Sequence, residues 1–527
     1  MRVDASQLLH KFGFSQFRTG QQEVVEAALA GRDVLAVMPT GAGKSLCYQL
    51  PALAEGLTVV VSPLIALMKD QVEGLRRRGV GAAALNSQLS QAEQQTLLGG
   101  LRELRLLYLS PERLGSVAVQ RALCQVGVAR LVVDEAHCIS SWGHDFRPDY
   151  RQLGGIREQL GEPPVSALTA TATWAVRNDI VKLLRLREPE VVLTGFDRPN
   201  LRYRVLPVPN ETAKLEALQT LLRQPGAAVV YAGTRGQVEA VAAQLMGWGR
   251  EGAAYHAGLG AARRNAVQDA FVAGGTGVIV ATNAFGMGVD KPDVRQVIHL
   301  DLPASLEAYY QEAGRAGRDG QAATCTLLYT DDDARRQRNL LLASTPTLLD
   351  LKRTFVRTKN AHPEPVQADS LGLNRGKLIG TLQLLEAREI VTLVRPNRKL
   401  ALTLHRDRHT GVPEFEDAWV DTYSQRRLGL LEAMVNYAET SVCRRDRLLG
   451  YFGDPEYIGA CGCDQCAPEP FLTPTSLAAL ARFRTPQPSK RAGDLAGWLE
   501  QHGFLEVRRR PLRRRYRLSP EGARALA

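Results

Sequence analysis

The sequence predicts an α/β protein whose first two thirds form two tandem lobes, each a parallel β-sheet covered by helices, with smaller modules behind them. Three observations carry that expectation. Short β-branched runs alternate with longer helix-compatible segments over residues 1–335, the alternation restarts once near residue 200, and it stops after "YTDDDARRQRN". A chain of 527 residues also exceeds one ordinary core, since domains hold about 100–200 residues.

The strands of the first lobe are expected in "DVLAVM" (33–38), "LTVVVSP" (57–63), "RLLYLSP" (105–111), "ARLVVDE" (129–135) and "PVSALTA" (164–170). After the turn-like "FDRPN" (196–200) come "AAVVYAG" (227–233), "TGVIVAT" (276–282), "RQVIHLD" (295–301) and "ATCTLLY" (323–329). The composition, 45% hydrophobic and 23% charged, is that of a folded protein. No apolar run is long enough to span a bilayer and the first residues lack the apolar core of a signal peptide, so a cytoplasmic protein without a membrane partner is expected. A formal net charge of +11 favours a polyanionic partner, although charge alone is weak support.

"MPTGAGKSLCYQL" (38–50) follows a predicted strand and precedes a helical stretch. Thr40, Gly41, Ala42, Gly43, Lys44 and Ser45 have the chemistry of a phosphate-binding loop. Gly41 and Gly43 let backbone N–H groups turn toward phosphate oxygens, Lys44 supplies charge, and the Ser45 hydroxyl can ligate Mg²⁺. The first glycine of the usual spacing is missing, since Met38 occupies it. Asp134, after the apolar run "LVV", is the expected acid for Mg²⁺ on the next strand over, and Glu135 the base for the attacking water. ATP and Mg²⁺ are the cofactors implied.

These motifs stand in a series: "FSQFRTGQ" (14–21), "VVVSPLIALMKDQV" (59–72), "YLSPERL" (108–114), "DEAHCISSWGHDFRPDY" (134–150), "ALTATAT" (167–173), "GFDRPN" (195–200), "YHAGL" (255–259), "ATNAFGMGVDKPDVR" (281–295) and "YYQEAGRAGRDG" (309–320). In that order they resemble the RecQ family of superfamily 2 helicases across nearly all of residues 1–335. The resemblance implies two RecA-like lobes with ATP between them, 3′→5′ travel on single-stranded DNA, and unwinding of duplex, forked or branched DNA in recombination and repair. Single-strand-binding and repair proteins are the partner proteins it suggests. It puts the adenine reader on Gln21, with Arg18 nearby and Phe14 stacked on the base. It makes Arg318 the arginine finger, with Arg315 three residues before it on the same helical face. Behind the DEAH residues it implies an aromatic-rich loop sensing single-stranded DNA: Trp142 and Phe146 would stack on bases, about 1–3 kcal/mol each, and Arg147 would pair with phosphate. An aromatic pair packed inside a helix is the alternative, but Gly143 and Pro148 argue against a continuous helix. Two rival functions are an RNA helicase or non-separating translocase, and a DNA-binding regulator that uses ATP only as a switch. A switch has no need of Glu135.

Cys443, Cys461, Cys463 and Cys466 form C-x17-C-x-C-x2-C, and four thiolates suit a closed structural Zn²⁺ site. "CGCDQC" is one residue shorter than the RecQ zinc cluster, which puts the geometry of its turn in question. The remaining four cysteines read as buried free thiols. About a hundred residues also intervene between the second lobe and the cysteines, where RecQ enzymes pass almost directly. Within them, residues 368–404 have the helix, turn, helix and β-ribbon layout of a winged helix, and residues 490–519 repeat it. "LEAREIVTLVRPNRKL" (385–400) aligns with "LEQHGFLEVRRRPLRR" (499–514), which suggests a diverged duplication. The expected modules are therefore 1–199 and 200–335 for the lobes, 336–415 winged-helix-like, 416–470 zinc-binding and 471–527 winged-helix-like. In the last, "RRRPLRRRYR" (508–517) holds seven arginines on a predicted hairpin. Arg508, Arg510, Arg513 and Arg515 are candidate duplex contacts, both hairpin faces are expected to be basic, and Tyr516 is expected among the charges.

Overall fold

In the computed structural model, the apolar runs of the first lobe become a seven-stranded parallel sheet. Its strands are β1 (Val34–Val37), β2 (Thr58–Val61), β3 (Ala82–Leu85), β4 (Leu106–Leu109), β5 (Arg130–Val133), β6 (Val165–Thr169) and β7 (Glu190–Leu193), in the order β3-β4-β2-β5-β6-β1-β7. The structure describes residues 4–63, 65–86, 89–140, 147–286, 289, 291–395, 399–405, 413–454, 461–468, 473–484, 487–488, 496–510 and 513–526. Strands β1, β2, β4, β5 and β6 are buried along their whole length, because helices cover both faces of a parallel sheet. Asp33 ties the amino-terminal ends together. Its carboxylate takes both Arg157 Nη2 contacts (3.0 and 2.9 Å) and the N–H groups of Val165 and Arg187 (2.7 Å each). The carboxyl ends of the strands are left for chemistry, as is usual in such sheets.

The second lobe holds β8 (Leu201–Pro207), β9 (Ala227–Tyr231), β10 (Gly252–Tyr255), β11 (Val278–Ala281), β12 (Val294–His299) and β13 (Ala323–Tyr329), in the parallel order β10-β11-β9-β12-β13-β8. Four strands were not anticipated: β3, β7, β8 and β10. All four are sheet edges.

Two small antiparallel sheets follow. The first has β14 (Val366–Gln367), β15 (Val391–Val394) and β16 (Ala401–Leu404), packed on the helices Leu348–Ala361 and Arg375–Glu386 through Leu351, Phe355, Leu385, Leu393 and Leu402. The second has β17 (Gln487–Pro488), β18 (Leu505–Arg510) and β19 (Arg513–Leu518), with helices Pro474–Ala481 and Ala496–Gln501. Their strand orders are β14-β16-β15 and β17-β19-β18, the same arrangement twice. The pairs Val391–Leu404 and Leu393–Leu402 of one correspond to Leu505–Leu518 and Val507–Tyr516 of the other at one constant offset along the chain. Tyr516 is buried against Phe483 rather than set among the charges, because its position shares the inner side of the ribbon with Val507 and Leu505.

The chain divides into two compact units: residues 1–197, 338–430 and 450–454, and residues 198–337, 431–449 and 455–527. The first small module thus belongs with the first lobe. Its Glu386 has a buried Oε2 with no hydrogen-bond partner among the described residues. Burial pushes the Glu386 carboxyl up to about 7, Arg151 pulls it back, and Asp149 pushes it further up. The folded protein therefore holds a proton that the unfolded chain releases above its ordinary carboxyl pKa of about 4.3, and stability falls as pH rises from there to about 7. Glu386→Gln should leave the thermal midpoint of this unit nearly unchanged at pH 4.5 and raise it at pH 8, where up to about 3 kcal/mol of stability is recovered. Equal effects at both pH values would show the carboxyl to be charged throughout.

Candidate nucleotide, zinc and nucleic-acid sites

Residues Met38 to Ser45 curl from the end of β1 into the helix Leu46–Ala52. Gly41 (φ 87°) and Gly43 (φ 80°) occupy the left-handed region that glycine alone adopts freely. The Lys44 ammonium donates to the carbonyls of Met38 (3.1 Å) and Pro39 (3.4 Å), folded across the loop that a phosphate would enter. Gln21 is buried and braces this loop: its Nε2 donates to the carbonyls of Ala42 (2.9 Å) and Gly43 (3.1 Å), and its Oε1 accepts from Arg18 N–H (2.8 Å). The Arg18 guanidinium donates to the Gly41 carbonyl. A side chain at Gly43 would meet Gln21 Nε2 at 2.5 Å. Both residues expected at the adenine are thus bonded to the loop in this structure, while the Phe14 ring is exposed.

Asp134 follows β5. It does not lie one strand over from the loop, because β6 stands between β1 and β5. That strand delivers Thr169 between the two sites, where its hydroxyl bonds the fully buried His137 Nδ1 at 2.8 Å. The Asp134 carboxylate accepts from Glu135 N–H (3.0 Å) and Ser62 Oγ (3.5 Å), and its main-chain carbonyl accepts from the Tyr150 hydroxyl (3.0 Å). Burial pushes the Asp134 carboxyl up to about 7, the Glu135 charge adds to this, and Lys44 pulls it back. Glu135 sits at φ 49°, a turn that separates its side chain from the strand. Its Oε2 is buried 3.3 Å from His137 Nδ1 but lacks the alignment for a hydrogen bond. A raised carboxyl and a neighbouring carboxylate oxygen with no hydrogen bond among the described residues fit a divalent cation and its water: Asp134, with Ser45, would hold Mg²⁺, and Glu135 would face the water. His137, Thr169, Ser62 and Tyr150 were given no role from the sequence, although each lies in a quoted motif.

Arg315 and Arg318 are not on a helical face. The helix Leu306–Ala313 stops at Gly314, and both arginines lie in the turns beyond, where Gly317 takes φ 53°. Arg315 is buried with its guanidinium on the Gly286 carbonyl, and Arg318 Nη1 donates to the Val289 carbonyl at 3.0 Å. Trp142 and Phe146 lie outside the described residues. Arg147 N–H donates to the Cys138 carbonyl (2.9 Å), and its guanidinium to that of Pro63 (3.4 Å).

The four clustered cysteines converge despite the shortened turn. Their sulfur atoms all lie within 4.8 Å of one another, with Cys443 and Cys461 at 3.4 Å. A tetrahedron of Zn–S bonds of about 2.3 Å needs sulfurs roughly 3.8 Å apart, so the four fit a zinc ion. For Cys463, burial pushes the thiol up, but the N–H groups of Arg444 and Cys466, the Cys461 thiol and the N–H of Gln465 outweigh it and bring the thiol down to about 7. In the hairpin, the register sets Arg508 opposite Arg515 and Arg510 opposite Arg513. Alternation puts these four positions on one side of the ribbon and the pair Arg509–Arg514 on the side of Val507 and Tyr516, so arginine positions fall on both sides, as expected.

Residues 18–180 match the DEAD/DEAH box helicase family, residues 213–320 the helicase conserved C-terminal domain, and residues 415–467 the RecQ zinc-binding family. The ATP-dependent DNA helicase RecQ of Pasteurella multocida is 46% identical over 351 residues, 65% of this chain and 55% of that protein. The probable ATP-dependent DNA helicase RecS of Bacillus subtilis is 44% identical, covering 66% of this chain and 72% of that one. The RecQ helicase of Synechocystis is 38% identical over 489 residues, 86% of this chain and 96% of that protein. The chain thus spans about half of the Pasteurella relative and nearly all of the Synechocystis one. Among solved structures, Mycobacterium smegmatis helicase Lhr bound to ssDNA and AMP-PNP has a TM-score of 0.52 at 19% identity, covering 83% of this chain and 62% of that one. The helicase MrfA bound to DNA has a TM-score of 0.54 at 19% identity, covering 77% and 59%. These two likenesses concern the fold alone. Among the described residues no helix is long and apolar enough to cross a membrane.

Proposed function

Because this chain belongs to the RecQ family of helicases, we propose that it hydrolyses ATP to travel 3′→5′ on single-stranded DNA and to separate the strands of duplex, forked or branched DNA. The observation that supports this best is the phosphate loop with Lys44 placed near the buried Asp134 and the half-buried Glu135, the last of which an ATPase needs and a nucleotide switch does not. ATP brings the phosphoanhydride and Mg²⁺ the compensating charge. Lys44 neutralises the outer phosphates, Ser45 and Asp134 hold the cation, and Glu135 orients the water. Arg318, with Arg315, stabilises charge on the transferring phosphoryl group. Phe14 stacks on adenine, and Gln21 and Arg18 exchange loop carbonyls for its edge. Trp142, Phe146 and Arg147 sense the single strand, and Arg508, Arg510, Arg513 and Arg515 grip duplex phosphates. Work in recombination and repair within the cytoplasm, beside proteins that coat or mend single strands, follows from this role.

The test is unwinding of tailed, forked and four-way DNA by the full chain and by a chain ending at Glu506. The full chain should unwind 3′-tailed DNA, and its ATPase should respond to ssDNA more than to ssRNA. The shortened chain should keep that ATPase but bind duplex with a salt dependence lower by about one unit of slope per lost phosphate contact. Steady ATPase without strand separation would point to a translocase, and an unchanged salt slope would remove the hairpin from the duplex.

A further inference from the structure

Asp149 and Tyr150 are neighbours in the short helix Pro148–Arg151, directly after the segment that carries Trp142 and Phe146. They make contacts in two directions. Tyr150 is fully buried, and its hydroxyl donates to the main-chain carbonyl of Asp134, the residue that would hold the cation. Asp149 receives a bidentate pair from Arg395, whose Nε stands 2.6 Å from Oδ1 while Nη2 bonds Oδ2. Arg395 directly follows β15 in the first winged-helix-like module, 246 positions along the chain. A second contact reinforces the docking: Gln152 Nε2 donates to the carbonyl of Leu393, within β15 itself, at 3.2 Å. Glu112 Oε1, at 4.0 Å from Arg395, is the other carboxylate nearby.

Asp149 is only 12% exposed at its side chain, so this is a partly shielded, two-pronged Arg–carboxylate contact rather than a loose surface ion pair. Arg147 N–H donates to the Cys138 carbonyl, just behind the DEAH residues. Arg147 directly precedes the helix that carries Asp149 and Tyr150, and Tyr150 reaches the main chain at Asp134. The module that contributes Arg395 is the one that separates the second lobe from the cysteine cluster, so its docking brings a late part of the chain to the back of the ATPase acid pair.

We propose that Arg395 is a positioning residue for the ATPase: by holding Asp149 it seats Tyr150 against Asp134 and makes ATP turnover responsive to single-stranded DNA. The inference rests on the helicase reading above. It assigns the interposed module to the coupling machinery and treats Arg395 as the far end of a relay that runs Arg395, Asp149, Tyr150, Asp134.

The experiment compares the full-length wild type with Arg395→Ala, Arg395→Lys and the charge swap Arg395→Asp with Asp149→Arg, measuring basal and ssDNA-saturated ATPase, KM for ATP and thermal midpoint. Arg395→Ala should keep basal turnover and KM but lose about fivefold or more of the DNA-saturated kcat, the range of an ordinary coupling energy. Arg395→Lys, which keeps charge but loses the two-pronged geometry, should fall between, and the swap should recover stimulation. Full stimulation in Arg395→Ala, or a swap that recovers nothing, overturns the proposal. If Arg395→Ala does not fold, Arg395→Lys and the swap carry the same comparison. A wild type whose ATPase ignores DNA would instead remove the helicase reading, a different result from a variant that behaves like a DNA-stimulated parent.

Discussion

Lys44→Ala should reduce ATP turnover by at least about a hundredfold, the usual cost of removing a preorganised charge from a phosphoryl-transfer site. The Lys44 ammonium lies over the loop on the Met38 and Pro39 carbonyls, near enough to Asp134 to pull its carboxyl down. Alanine leaves the outer phosphates and Asp134 without the loop's own cation, so nucleotide affinity should fall together with turnover. Glu135→Gln should behave differently. The amide keeps the shape and the turn at φ 49° but cannot take a proton, so nucleotide should still bind while turnover is lost to a comparable degree. Nucleotide titration by fluorescence beside steady-state ATPase separates the two variants. Equal loss of binding in both would count against the division of roles between lysine and glutamate.

Loss of one zinc ligand is the second large effect. Structural zinc contributes an apparent 10–16 kcal/mol in small zinc-dependent modules, so about that scale is available to be lost here. Cys463→Ser removes the sulfur that three backbone N–H groups already bias toward the thiolate, the form that binds metal. Cys443 and Cys461, held as thiols by burial first of all, must give up protons when zinc enters, so affinity should rise with pH. The damage should spread. Arg444 bonds Asp464 within the cysteine turn (2.9 Å) and the Ala438 carbonyl (3.1 Å), and Arg445 bonds the carbonyls of Pro199 (3.1 Å) and Leu201 (2.8 Å) at the start of β8. Wild-type protein should carry one zinc per chain by metal analysis, and Cys463→Ser should lower both zinc content and the thermal midpoint of this unit. Well-folded protein without zinc would sink the claim.

How much of the fold was legible depended on where each strand lies. Val59–Val61, Leu131–Val133 and Val278–Val280 are buried on both faces and so read as uninterrupted apolar runs. The edges β3, β7, β8 and β10 did not. "AAAL", "EVVL" and "GAAY" carry alanine, glycine or glutamate, and β8 interleaves Arg202 and Arg204, because an edge strand has a face or a rim that meets water or a loop. The hairpin alignment of the two small modules was legible because both turn the same alternating apolar positions to their cores, Val391 and Leu393 in one and Leu505 and the partly buried Val507 in the other.

The sequence by itself determined what short-range chemistry encodes: two parallel-sheet lobes, a glycine-bearing loop ending in Lys44 and Ser45, an acid pair at a strand end, and a cluster of four cysteines that survives a one-residue deletion. Each of these depends on residues close together in the chain, where spacing dictates geometry. Tertiary structure decided the rest: β6 enters between β1 and β5, the Gln21 amide turns onto the loop, Arg315 and Arg318 fall beyond their helix, and Tyr516 turns inward onto Phe483. It also decided the meeting of Arg395 with Asp149. Which strand pairs with which, and which distant charge a carboxylate meets, is settled by packing the whole surface at once, so partners hundreds of residues apart leave no local pattern from which to read them.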